Sequence, residues 1–102
     1  MANSAVMSES GVVVAIRERL ASLTPQVIEI HDESGAHIGH EGAKGGGGHY
    51  RLLIVADAFH GQPRLARHRL IYRALGALMQ REIHALAISA WTPEELARAL
   101  PA

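Results

Sequence analysis

The stretch that decides the fold is HYRLLIVADAFHGQPRLARHRLIYRALGALMQREIHALAISAW, residues 49–91. It predicts a strand, a tight turn, an amphipathic helix and a second strand, an order typical of a parallel strand–helix–strand unit. Apolar residues alternate from Tyr50 to Phe59, and because both faces of this strand are largely apolar we expect it at the centre of a sheet. The second strand is predicted from His84 to Trp91, parallel to the first.

The helix between these strands is predicted from about Arg64 to Met79, with an extra turn around Gln80. Gly61 and Pro63 mark the turn that precedes it. Gly61 is therefore interpreted as a structural residue.

One face of this helix is predicted to bury an apolar stripe. At about 100° per residue the stripe includes Leu65, Ile71, Tyr72, Leu75, Leu78 and Met79. His68 shares this face, so we interpret His68 as a buried, hydrogen-bonded core histidine and Tyr72 as a structural neighbour. Arg69 and Arg73 fall on the opposite face.

The segments before this unit predict a cover helix and an edge strand. Ser8 or Ser10 can cap the helix, which ends at Thr24-Pro25. Its apolar residues recur at helical spacing and are Val12, Ile16, Leu20 and Leu23. Residues 26–32 alternate as a short half-buried strand, and residues 33–48, ESGAHIGHEGAKGGGG, predict a mobile loop.

The chain after residue 91 predicts a short final helix. Thr92 is its N-cap, Pro93 its first residue and Glu95 the partner in a capping box. The predicted order is helix, strand, strand, helix, strand, helix. This is an α/β (α+β) fold with a three-stranded mixed sheet, formed by a single domain over residues 1–102, of which about 8–100 are ordered.

Composition excludes several kinds of site. The 102 residues carry ten basic and ten acidic side chains, so net charge does not indicate a nucleic-acid or membrane partner. Seven histidines occur without any cysteine, which excludes disulfides, thiol nucleophiles and a cluster ligated by the chain's own thiolates. The N-terminus has no basic region and only a short apolar run, so we expect a cytoplasmic protein.

Four segments together resemble the BolA family. They are the D-E-S-x-x-H loop (Asp32, Glu33, Ser34, His37), the F-x-G strand end (Phe59, Gly61), the R-H-R-x-x-Y helix (Arg67, His68, Arg69, Tyr72) and the I-H-A-L strand start (Ile83, His84, Ala85, Leu86). Each segment is weak by itself, but their order and spacing over roughly residues 8–100 are specific. The resemblance implies a BolA-like fold similar to the type II KH domain, in agreement with the predicted element order.

The resemblance also implies two iron–sulfur ligands. BolA proteins use the histidine of the I-H-A-L segment, here His84, and a histidine or cysteine of the loop, here His37. His40 is a possible substitute, because a flexible glycine-rich loop could present either imidazole. By position alone His84 would be structural and His37 a solvated side chain. His31, His49 and His60 have no feature that singles them out.

Two histidines without a thiolate can complete only a shared [2Fe–2S] cluster. The resemblance implies that the thiolates come from a monothiol glutaredoxin and its glutathione, which makes this protein a non-enzymatic adaptor in iron–sulfur assembly, trafficking or iron sensing. No cluster is expected in the isolated protein, which should be a monomer or a weak homodimer.

DNA binding is the alternative function, because the family has a reported role in transcription regulation. No acidic residue occurs between residues 58 and 80, and Arg67, Arg69 and Arg73, with Arg64 at the entry, give this helix a basic character. The G-x-x-G loop of KH domains is absent at the turn, where the residues are Gly61-Gln62-Pro63-Arg64.

The sequence does not favour a zinc protein or an enzyme. A zinc site of His37, His40 and another histidine is chemically possible, but the loop lacks the rigid element that usually fixes zinc ligands. We predict no enzymatic turnover, because the sequence shows no activated nucleophile, no converging carboxylate pair and no dinucleotide fingerprint.

Overall fold

The computed structural model describes residues 10–34 and 48–101. The elements are α1 (Gly11–Leu20), β1 (Val27–Asp32), β2 (Gly48–Val55), α2 (Arg64–Leu75), β3 (Ile83–Trp91) and α3 (Pro93–Ala99). Short 3-10 turns follow α1 and α2, and another precedes α2. The predicted order of helices and strands is confirmed.

The three strands form one sheet in the order β1-β2-β3. β2 pairs antiparallel with β1 and parallel with β3, and Ile54 lies beside both Ile28 and Ala90. The apolar character of both faces of β2 therefore correctly indicated a central strand. β1 and β3 each have one outer edge.

Local capping fixes both terminal helices as the sequence predicted. The Ser10 hydroxyl accepts a hydrogen bond from the Val13 backbone N–H at 3.2 Å, which satisfies one of the unpaired donors at the start of α1. Thr92 and Glu95 form a reciprocal capping box at α3. Ser8, the other candidate cap, lies outside the described residues.

The core lies between the sheet and α1 and α2. Its largest fully buried side chains are Phe59, Ile16, Leu20, Leu52, Ile54, Ile71, Leu75 and Val55. All are aliphatic or aromatic. Within the described residues, no buried side-chain nitrogen or oxygen lacks a hydrogen-bond partner.

The strand predicted from Tyr50 to Phe59 is shorter in the structure. β2 ends at Val55, although the Ala56 backbone N–H still donates to the Trp91 carbonyl at 3.0 Å. Residues 57–59 then form a 3-10 turn that brings Phe59 into the core, where it is completely buried. The prediction of strand to Phe59 was therefore wrong, because tertiary burial of one aromatic side chain overrides the local alternation.

α2 is also shorter than the helix predicted to end at Met79. The helix ends at Leu75 because Gly76 adopts a φ of 58°, a left-handed conformation that favours glycine after a helix. A 3-10 turn over Gly76–Gln80 follows, which confirms the expected extra turn. Gly61 likewise has a positive φ of 72°, which explains glycine in the turn before α2.

The predicted apolar stripe of α2 was too wide. Ile71 and Leu75 are completely buried, whereas Leu65 is 61% and Tyr72 43% exposed. Both lie about 100–120° around the helix from Ile71, which takes them out of the buried sector. His68 is only half-buried, with its ring edge-on to Tyr72 at 6.4 Å, so the prediction of a buried core histidine was wrong.

Over residues 10–34 and 48–101, none of the helices has the length and apolar character needed to cross a membrane.

Candidate functional site

The D-E-S segment fastens the end of β1 to the start of β2. Asp32 Oδ1 accepts a hydrogen bond from the Ser34 backbone N–H at 2.9 Å. Ser34 Oγ in turn accepts from the His49 N–H at 3.0 Å, and the Glu33 N–H donates to the His49 carbonyl at 2.8 Å. Both the N–H and the carbonyl of His49 are therefore hydrogen-bonded to the D-E-S segment.

Gly48 is required at this position by close packing. A Cβ added to Gly48 would lie 2.5 Å from Ser34 Oγ and 2.6 Å from Tyr50 Oη, inside the contact distance of any real side chain. Tyr50 is buried beneath it, and that burial raises the pKa of the phenol, with the nearby Asp32 carboxylate raising it further. The phenol is therefore neutral at physiological pH.

His84, the leading predicted ligand, lies at this same end of the sheet. It is the second residue of β3 and is exposed. Its ring centroid is 5.1 Å from that of His49, with the two planes tilted by 30°. A break in the register between β2 and β3 falls at Gly48 and His49, beside His84. Two imidazoles thus meet where two parallel strands begin.

His49 is the residue that the sequence interpretation missed. The signal was present, because the two strands of the predicted parallel unit begin at Tyr50, directly after His49, and at His84, and parallel strands start at the same edge of a sheet. A histidine at each start therefore predicts an adjacent pair. Taken one at a time, the seven histidines do not reveal this pair.

The predicted loop ligand His37 and its substitute His40 lie outside the described residues. In the described part of the chain, no group of three or more His, Asp or Glu side chains could hold a metal ion. The His49–His84 pair would therefore need donors from elsewhere. Imidazole nitrogens at the open end of a rigid sheet fit the histidine side of a mixed His/thiolate cluster.

Arg67, proposed from the sequence as a phosphate contact, is held inside the molecule. Its guanidinium donates to both Glu95 carboxylate oxygens at 2.6 and 2.8 Å, to the Gln62 carbonyl at 2.7 Å and to the Ala90 carbonyl at 3.0 Å. Only 13% of its side chain is exposed. The hydrogen bonds from Arg67 are the largest reason that the pKa of Glu95 is lowered to about 2. This geometry does not support phosphate binding by Arg67.

Arg69 and Arg73 are exposed on α2, on the side away from the core. No salt bridge to either side chain occurs within the described residues, so both charges are open to solvent. The DNA hypothesis therefore rests on these two residues, with Arg64 at the helix start.

Over most of its length the chain is similar to proteins named BolA or BolA-like. The chain is 41% identical to BolA-like protein 1 of Mus musculus over 85 residues, which cover 82% of this chain and 60% of the relative. It is 35% identical to the protein named DNA-binding transcriptional regulator BolA of Escherichia coli K12, over 78% of each chain. It also matches SufE-like protein 1 of Arabidopsis thaliana, named chloroplastic/mitochondrial, but spans only 24% of that relative.

Solved structures show the same architecture. The BolA domain of SufE1 from Arabidopsis thaliana superposes with a TM-score of 0.73 at 40% identity, covering 85% of this chain and 98% of that domain. The solution structure of Mus musculus BolA1 gives a TM-score of 0.74 at 37% identity, over 88% and 72% of the two chains. The family model described as BolA-like protein matches residues 20–95, three quarters of the sequence. Fold, motifs and relatives therefore converge, and the chain belongs to the BolA family.

Proposed function

We propose that this protein is a non-enzymatic adaptor that binds a monothiol glutaredoxin and supplies histidine ligands to a shared [2Fe–2S] cluster. The observation that supports this proposal most is the exposed His84 ring beside His49 at the fixed edge of the sheet. A rigid β-sheet edge limits the entropy lost when a ligand is immobilised. The chain has no cysteine, so the thiolates would belong to the glutaredoxin and its glutathione.

The histidines of this protein would supply the nitrogen ligands of the cluster. His84 would supply one imidazole, and the second would come from His37 in the loop, with His40 or the adjacent His49 as substitutes. An imidazole binds a metal only when it is deprotonated, so cluster retention should decrease as the pH falls. The cluster, when bound, would supply one-electron redox chemistry and a transferable iron–sulfur unit.

Anaerobic reconstitution tests this function. The protein is incubated with iron and sulfide, alone and with a monothiol glutaredoxin plus glutathione, and is then followed by visible circular dichroism and size-exclusion chromatography. We expect a new chiral cluster spectrum only in the mixture, on a one-to-one complex. No complex and an unchanged glutaredoxin spectrum would contradict the adaptor function.

DNA-dependent regulation is a second candidate, supported by the name of the Escherichia coli relative and by the exposed Arg69 and Arg73. These two charges would contact phosphates and confer salt-sensitive affinity. A duplex-binding assay across salt concentrations tests it. Sequence-selective binding that is lost in Arg69→Ala/Arg73→Ala would support the DNA function, whereas equal weak binding to all duplexes would contradict it.

A further inference from the structure

The outer edge of β3 lacks the residues that usually prevent an edge strand from pairing with another chain. Within the described residues β3 is the last strand of the sheet, so no strand lies beside its outer edge. Its nine residues, IHALAISAW, include no Lys, Arg, Asp, Glu or Pro. Edge strands usually carry such residues because they prevent pairing with another chain. Their absence marks β3 as a strand that can accept a further strand.

The direction of the peptide groups in β3 shows which residues could form hydrogen bonds with an added strand. The Trp91 carbonyl points toward β2, where it accepts from Ala56, whereas the Ala90 carbonyl points outward and accepts from Arg67. Successive peptide groups of a strand point to opposite sides, so the peptide groups of Leu86 and Ile88 also point outward. Arg67 thus donates to the outward carbonyl of Ala90. The outward backbone groups of Leu86 and Ile88 are left for a ligand.

A groove of about 440 Å³ runs beside this edge. It lies between the C-terminal half of β3 and the start of α2, and its lining includes Ile88, Ala90, Arg64 and His68. Ile88 and Ala90 are half-buried, so they give the floor an apolar character. An open groove of this kind can accept alternate side chains of an added strand.

The charge of the groove is positive. Arg67 is neutralised by Glu95, but Arg64 is exposed and has no salt bridge within the described residues. α2 itself contains no acidic residue. The complementary ligand is therefore acidic.

We propose that this edge and groove bind an extended acidic segment of a partner protein, added as a fourth strand to β3. Peptide hydrogen bonds to Leu86 and Ile88 would give affinity, apolar side chains would enter the groove, and a carboxylate would pair with Arg64. A nucleic acid fits less well, because the floor is apolar and the open backbone groups match a strand. A second copy also fits less well, because pairing β3 with itself would bring two basic α2 helices together.

This site is separate from the histidine pair. Five residues of β3 lie between His84 and Ala90, which places these two residues about 20 Å apart along the strand. The acidic segment and the cluster partner could therefore bind at the same time. The inference goes beyond the proposed adaptor function and does not depend on it.

The test uses the full chain and a fluorescein-labelled peptide of sequence EVEVEVE. Its controls are the lysine counterpart KVKVKVK and a labelled deca-thymidine oligonucleotide. We expect fluorescence anisotropy to show at least tenfold tighter binding of the acidic peptide than of either control. In ¹⁵N–¹H NMR spectra the amides of Leu86 and Ile88 should shift most.

Two matched variants locate the contact. Arg64→Glu should weaken peptide binding at least tenfold, whereas Arg81→Glu makes the same charge change next to the start of β3 and should leave binding within twofold. Equal binding of the acidic and lysine peptides, preference for the oligonucleotide, or equal effects of the two variants would overturn the proposal. Self-association that excludes the peptide and shifts the same amides would also overturn it in favour of a second copy.

Discussion

The two ends of β3 use polar side chains in opposite ways. Near Ala90, the guanidinium of Arg67 makes four hydrogen bonds to carbonyl and carboxylate oxygens, and its side chain is 13% exposed. At the other end, His84 is exposed and its ring contacts only another imidazole, that of His49, among the ring contacts of the described residues. The guanidinium of Arg67 is therefore used within the fold, whereas the exposed ring of His84 can reach a ligand.

Residues of the same family motifs can therefore have different roles, Arg67 in stability and His84 in binding. Arg67 and His84 both belong to segments that identify the family, yet only His84 is placed where an outside group can reach it. Replacing Arg67 should therefore change the free energy of unfolding, and replacing His84 should change binding.

The largest effect on stability is expected from Arg67→Ala. The variant leaves the Gln62 and Ala90 carbonyls and the Glu95 carboxylate without their donor, so we expect a loss of roughly 2–3 kcal/mol in the free energy of unfolding. Urea denaturation followed by far-UV circular dichroism measures it. Arg67→Lys keeps the charge but cannot reach all four acceptors and should be intermediate. A loss below about 0.5 kcal/mol in Arg67→Ala would remove the structural role.

Gly48→Ala should also destabilise the protein, at the histidine end. The added methyl group would lie 2.5 Å from Ser34 Oγ and 2.6 Å from Tyr50 Oη, so the clamp around His49 must move, at a cost of roughly 1–3 kcal/mol. Gly11→Ala is the matched control, because a Cβ there meets nothing within 4 Å. Equal stability of the two variants would show that the contact at Gly48 is relieved without cost.

Acid should weaken the Arg67 end selectively. The pKa of Glu95 is about 2 in the folded protein, below its ordinary value of 4.5. A depressed carboxyl pKa contributes stability that is complete above about pH 4.5 and is lost as the pH falls toward 2. The stability difference between the native protein and Glu95→Gln should therefore shrink over this window. A difference that stays constant from pH 6 to pH 2.5 would contradict the ion pair.

His84→Ala is expected to have the smallest effect on stability, within about 0.5 kcal/mol of the native protein, because the side chain is exposed. Thermal unfolding of the isolated protein checks this. A loss above about 1 kcal/mol would mean that His84 supports the fold, and the contrast between Arg67 and His84 would then disappear.

Much of the fold follows from local signals in the sequence. Ser10 and the Thr92/Glu95 capping box predicted helix starts correctly because capping depends on residues within one helical turn. The central position of β2 followed from apolar residues on both of its faces. These features need no knowledge of distant contacts.

The sequence predictions were wrong where the structure depends on contacts between residues far apart in the chain. Phe59 leaves the strand alternation because the core accepts its ring, and Leu65 and Tyr72 stay exposed because α2 turns a narrower face toward the sheet. The sequence showed that Arg67 is basic, but its partner Glu95 lies 28 residues away, so a charge pattern on one helix cannot identify it. His49 was missed for a different reason, since the parallel arrangement that brings the starts of the two strands to one edge of the sheet was already predicted.

The central claim is that His84 is a ligand and not part of the fold's support. The most direct measurement is the visible circular dichroism of the glutaredoxin complex reconstituted with the native protein, with His84→Ala and with His60→Ala, an exposed histidine paired with Glu94. We expect the cluster spectrum of the mixed complex to be lost in His84→Ala and retained in His60→Ala, with far-UV spectra unchanged. Full retention of the cluster spectrum in His84→Ala would contradict the account.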